Sequence, residues 1–177
     1  ELWDSLMSRL VEIVISSLRS QISAGVSAIQ LFDSWAGALS PSAYERFVLP
    51  YTKEIFSSIQ NEEVPTVHFG VGTGEILHLM ASAGSSVMGV DWRTPLDVAR
   101  DRLGSEVALQ GNLDPAICFA SENAISTEVR NILEKNAGHP GHIFNLGHGV
   151  LPETDPKVLE RIVEQVHSYP LNSAEMK

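Results

Sequence analysis

Five short apolar segments, each closing on polar residues and each parted from the next by helical periodicity, constrain this chain more than any other feature. They are AIQLFDS (28–34), VPTVHFG (64–70), VMGVDW (87–92), VALQGNLD (107–114) and HIFNLGHG (142–149). Each has the length of a strand and falls short of the ten or more residues of a typical helix. Before the first, Leu2, Leu6, Leu10, Ile13, Val14, Leu18 and Ile22 recur at helical spacing, with Gly25 near the end of that helix. Ser40-Pro41 predicts a helix start, a capping hydroxyl followed by proline in the first turn. Pro50 must kink or divide the helix that follows, which resumes through Ile55 and Ile59. A short helical stretch, Glu75–Ala83, ends at Gly84. Pro95 opens the next helix and Gly104 closes it. Another runs from about Ser121 to Asn136, with Gly138 past its end. Asp155-Pro156 starts the last, which carries Val158, Ile162, Val163 and Val166. One helix and then five βα units is the pattern of a parallel sheet covered by helices.

Two architectures share that pattern, an open doubly wound sheet and a (β/α)8 barrel. A barrel typically takes about 250 residues, and five units cannot close eight strands. With 177 residues and no shift in composition, the chain is read as one domain over 1–177. Length favours the open sheet. Against it, no strand is followed by GxGxxG or a Walker loop. The nearest candidate, GVGTGE (70–75), has neither the spacing nor a following lysine, and reads as a tight turn. The chain opens at Glu1 inside an amphipathic pattern, which predicts a piece of a longer protein.

Charge narrows the function. Twelve lysines and arginines against 22 aspartates and glutamates give a formal net charge of -10. Such a chain lacks the basic stripe that phosphate backbones require, and an anionic membrane surface is disfavoured too. No apolar run reaches the ~18 residues of a membrane span, and the opening residues lack the form of a signal peptide. The single cysteine, Cys118, excludes a disulfide within the chain and fits a reducing, cytoplasmic compartment. It reads as a small packed apolar residue.

Function in parallel α/β folds collects at the carboxyl ends of strands. Here those ends read Asp33-Ser34, His68, Asp91-Trp92, Asn112 to Asp114, and Asn145 to His148. Asp114-Pro115 reads as a turn cap, Asp91 as a structural residue ahead of the Pro95 helix, His68 as a core histidine and Ser34 as a small residue at a crowded end. His148 stands apart. It lies between Gly147 and Gly149 ahead of a long loop, and an imidazole can exchange a proton near neutral pH. No HxH or HExxH pair suggests a metal, and no GxSxG elbow suggests a nucleophile. Only Arg93, of the twelve cationic residues, falls close to a strand's carboxyl end. The segment therefore lacks the main clamp for a substrate with several carboxylates.

QLFDSWAG (30–37), VPTVHFGVGTGE (64–75), GVDW (89–92), LQGNLDP (109–115) and NLGHGVLPETDP (145–156) resemble, in order and spacing, the later half of the uroporphyrinogen decarboxylase family, in its bacterial style. The resemblance implies a (β/α)8 TIM barrel of which this chain supplies roughly the last five βα units. It implies removal of the carboxyl groups of four acetate side chains from uroporphyrinogen III to give coproporphyrinogen III, on the way to haem. It further implies no metal or organic cofactor, a homodimer, and neither nucleic acid nor membrane as partner. Ser34 and His148 stand at the family's substrate-contacting serine and histidine. The family's central aspartate, its arginine segment and an active-site tyrosine have no counterpart here, so the segment alone is expected to be inactive. Two rivals remain. A corrinoid- and zinc-dependent methyltransferase of the same superfamily would carry HxC where this chain has His68-Phe69-Gly70. A non-catalytic tetrapyrrole-binding protein would suit a half barrel.

Overall fold

Helix α1, Leu2–Ser23, turns Val11 and Leu18 inward, while Leu2, Leu6, Leu10 and Ile13 are exposed. The computed structural model describes residues 1–60, 62–136 and 139–170. Gly138, expected past the end of a helix, lies outside them. The chain divides into two compact units, Glu1–Met88 and Gly89–Lys177.

In the first unit, strand β1 (Ile29–Phe32) pairs in parallel with β2 (Thr66–Phe69), Leu31 opposite His68 and Phe32 opposite Phe69. Between them lie α2 (Pro41–Phe47) and α3 (Leu49–Ser58). The Ser40 hydroxyl caps α2 by accepting from the Ala43 amide at 3.2 Å. Pro50 divides the helical segment as expected. Its ring cannot donate to the carbonyl four residues back and collides with it, so the break falls at Val48 and Pro50 sits in the first turn of α3. Three long-range bonds tie α1 to this pair: Trp3 Nε1 to the Phe47 carbonyl, Arg19 to the Ser58 carbonyl, and the Tyr51 hydroxyl to Asp4. The stretch expected as one short helix over 75–83 is a 3-10 turn at Gly74–Ile76 followed by α4, Leu77–Ala81.

Strand β3, Val87–Gly89, spans the division between the units. In the second unit, β4 (Ala108–Leu113) and β5 (His142–Leu146) pair in parallel with Leu113 opposite Leu146. Three helices belong to this unit: α5 (Leu96–Leu103), α6 (Glu122–Lys135) and α7 (Pro156–Ser168). Ser121 caps α6 and Asp155 caps α7, with Pro156 at the first helical position as the Asp-Pro pair predicts. Leu96, Ala99, Leu109, Leu113, Ile125, Val129 and Ile132 are buried here. Arg100 is buried among them and holds the loops around it. Its guanidinium donates to the Gly104 and Val107 carbonyls and to Asn136 Oδ1.

Hydrogen-bonded neighbours in the sheet follow chain order, β1-β2-β3-β4-β5. Each crossover carries helix, as a parallel sheet requires. Among the described residues no helix is long and apolar enough to cross a membrane.

Candidate active site at the strand ends

The polar residues expected at the strand ends form one group in each unit. Just past β1 in the first unit, the Asp33 amide donates to the Phe69 carbonyl at 2.7 Å, which locks this corner to the end of β2. Ser34 follows and is exposed. His68 is wholly buried in β2, as the core reading expected. Its Nδ1 lies 3.3 Å from the Met80 carbonyl, the Phe56 ring packs against it, and its Nε2 lies 3.9 Å from Asp33 Oδ2. Tyr44, on α2, is equally buried. Burial, and after it the charge of Asp33, push its phenol well above the ordinary tyrosine range, while Thr52 acts in the opposite sense.

The GVGTGE loop behaves as a tight turn. Gly37 packs its backbone onto the carbonyls of Val71 and Gly72, and a side chain at Gly70 would meet the Asp33 carbonyl and Thr73. The Thr73 hydroxyl closes the turn on the Gly70 carbonyl at 3.2 Å.

In the second unit the group centres on Trp92. Asp91 is buried and accepts from the Arg93 amide at 3.1 Å and from its guanidinium at 3.2 Å. Arg93 lies flat over the Trp92 ring, 4.0 Å from its centroid. His148 meets the same indole edge-on at 5.8 Å between centroids. Asn112 crosses from β4 and donates to the carbonyls of Asp91 and Thr94 at 2.8 and 2.6 Å, fixing the turn that carries Trp92 and Arg93. Asp114 caps the 3-10 turn Pro115–Phe119 through the Ala116 amide, as its turn-cap reading expected.

His148 lies two residues beyond β5, later than the strand reading over 142–149 implied, and it is exposed. The flanking glycines differ in role. Gly147 brings its backbone against Trp92, where a Cβ would lie 2.9 Å from Trp92 Cβ, while the space at Gly149 is open. The first glycine therefore serves the approach to Trp92 that seats His148. Of the eleven described lysines and arginines, ten sit in helices and Arg93 alone at a strand end, as anticipated. Cys118 is buried, and burial followed by the charge of Asp114 pushes its thiol up, so it stays protonated at neutral pH. Among the described residues no three His, Cys, Asp or Glu side chains converge as a metal site would need.

Sequence reasoning passed over Tyr44, Arg100 and His142. His142 opens β5 and donates from Nε2 to the Gly111 carbonyl at 2.8 Å. A polar residue inside an apolar run was the available signal for His142. Arg100 offered none, since its helix carries other charges.

The uroporphyrinogen decarboxylase (URO-D) family model matches residues 1–169. The chain belongs to that family. Uroporphyrinogen decarboxylases of Salinispora tropica, Streptomyces coelicolor and Rhodococcus opacus are 58%, 55% and 54% identical to it, over 94%, 95% and 94% of this chain. The aligned parts make up 45%, 47% and 48% of those proteins, so the chain spans about half the length of the relatives it matches. A solved structure from Listeria monocytogenes, assigned as a vitamin-B12 independent methionine synthase, superposes with a TM-score of 0.66 at 11% identity. It covers 93% of this chain and 55% of its own, and at that identity it shows the fold alone. The family and this neighbour bear out the parallel α/β class read from the strand rhythm and the barrel that the resemblance implied. The five strands are a part of such a barrel.

Proposed function

We propose that this chain is the carboxyl-terminal part of a carboxy-lyase that converts uroporphyrinogen III to coproporphyrinogen III by removing four acetate carboxyl groups. The observation that carries the reading is the family match over residues 1–169 together with identities above half to uroporphyrinogen decarboxylases. On this reading residues 1–177 are one partial barrel domain, the whole enzyme is a cytoplasmic homodimer, and the reaction proceeds without metal or organic cofactor. Ser34 and His148 contact the substrate. The geometry around His148 suits that task, since an exposed imidazole seated on Trp92 presents a hydrogen-bonding edge with little freedom to lose on binding. Arg93, tethered by Asp91 and stacked on the same indole, gives this wall its positive charge.

The methyltransferase alternative gains no support at its diagnostic position. His68 is turned into the core and the only cysteine is a buried thiol.

The test is incubation of the full-length enzyme with uroporphyrinogen under reducing conditions, with products separated by chromatography. Coproporphyrinogen is expected, and its absence would favour a tetrapyrrole-binding role. His148→Asn should lower turnover and let partly decarboxylated intermediates accumulate with the circular dichroism spectrum retained. Unchanged turnover would reject His148 as a substrate contact.

A further inference from the structure

We propose that Asp33 and His68 share one proton at the ends of β1 and β2 and deliver it to the substrate carbon that loses its carboxyl group. The proposal rests on the decarboxylase reading above and adds a proton donor to it. The argument begins with His68 Nδ1. Its neighbour at 3.3 Å is the Met80 carbonyl oxygen, which can only accept, so Nδ1 carries hydrogen. In a neutral ring Nε2 then presents a bare lone pair. Nε2 is fully buried and has no hydrogen-bond partner. The polar atom it faces is Asp33 Oδ2 at 3.9 Å. Two acceptors turned toward each other in a dry site repel, and a proton between them converts that repulsion into a charge-assisted hydrogen bond. Closing the gap takes about 1 Å of side-chain motion, of the kind by which catalytic hydrogen bonds tighten when substrate arrives.

Access runs one way. The His68 side chain is 0% exposed and the Asp33 side chain 26% exposed, so the shared proton leaves through Asp33. The walls are Phe56 of α3 and Met80 of α4, and the charge of Asp33 reaches the buried phenol of Tyr44 on α2. That phenol is held neutral and cannot compete for the negative charge. Ser34, the proposed substrate contact, is the next residue in the chain.

The chemistry balances. Each cycle breaks the bond between the acetate methylene and its carboxyl carbon, and carbon dioxide leaves. The pyrrole ring, protonated at carbon beforehand, accepts the bonding pair as an exocyclic double bond. That pair becomes the new carbon–hydrogen bond of a methyl group, and the ring then gives its own proton back. Asp33 supplies the one proton that this requires, and solvent returns one to the couple. Asp33 is then a catalytic residue, and His68 a positioning residue acting through it.

Two measurements on the full-length enzyme decide the matter. In protein carrying 15N-labelled histidine, a far-downfield proton coupled to His68 Nε2 should be present near neutral pH. It should vanish in Asp33→Ala, with the Nδ1 proton kept. Its absence from the wild type overturns the couple, whatever the enzyme catalyses. In the decarboxylase assay, His68→Gln and Asp33→Asn should each lower kcat by roughly 100-fold or more, with KM little changed and the pH–rate profile altered. The double variant should be no slower than the slower single one, because the two act as a unit. A His68→Gln enzyme with wild-type kcat and pH profile overturns the proton role. If the wild type yields no coproporphyrinogen, the decarboxylase reading falls and the resonance still reports on the couple. Should a variant fail to fold, the wild-type spectrum stands as the test.

Discussion

At Gly147 a hydrogen occupies the place where any other residue would drive a methyl group into the Trp92 backbone, with Trp92 Cβ only 2.9 Å from the missing carbon. Backbone cannot move aside as a flexible side chain can. Gly147→Ala should therefore cost about 1–3 kcal/mol, read as a lower urea midpoint, and weaken the packing of His148 on Trp92. A second residue-scale effect comes from His142. Burial lowers its affinity for a proton, its bond to the Gly111 carbonyl acts in the opposite sense, and Arg100 adds to the lowering. The unfolded chain then binds the proton more readily than the folded one. Stability from this group is full above the ordinary histidine value near 6.5 and is lost as pH falls through the lower folded value. The urea midpoint should drop between pH 7.5 and 5.5. His142→Gln keeps a donor for Gly111 but cannot titrate, and should flatten that part of the pH dependence. An unaltered profile would show that His142 does not carry it.

At the scale of elements, three helix starts follow one rule. Ser40, Ser121 and Asp155 each accept a backbone amide that would otherwise go unpaired. The Asp155 bond to the Lys157 amide, at 3.0 Å, holds the start of α7, whose buried contacts rest on Val158 and Ile162. Asp155→Ala should cost about 1 kcal/mol in a chemical unfolding experiment, whereas Asp155→Ser should leave most of it. Equal losses for both would show that capping is not what Asp155 contributes. These starts were legible because capping is local chemistry, decided within four residues. The 3-10 turns at Gly74–Ile76 and Pro115–Phe119 were not, because nothing in their spacing distinguishes a tightened turn from the first turn of a helix.

For the molecule as a whole, the chain leaves apolar surface uncovered. Leu2, Leu6, Leu10 and Ile13 form an exposed row along α1, and Phe32 on β1 and Ile143 on β5 are exposed as well. Strands β1 and β5 are the two ends of the sheet order, and an edge strand is a template for pairing with another chain. Expressed by itself, the chain should associate, and sedimentation velocity should show species heavier than its 19.3 kDa. A monodisperse monomer would argue against a partial barrel. The proposed homodimer belongs to the whole enzyme, and its test is the mass of the full-length protein.

Periodicity and capping are properties of neighbouring residues, and so the order of elements, the division at Pro50 and the parallel α/β class could be read from the sequence by itself. The strand ends could be named too, since a run that must be buried has no local reason to close on Asp, Asn or His. What each of those residues does there depends on atoms distant in the chain. Tertiary structure made Gly147 the seat of Trp92 and Asn112 the tie across the Trp92 turn. It also set a buried imidazole against the carboxylate of Asp33, 35 positions earlier in the chain. Hydrogen bonds and steric contact act over a few ångströms in space, and the register of parallel strands decides which residues come that close.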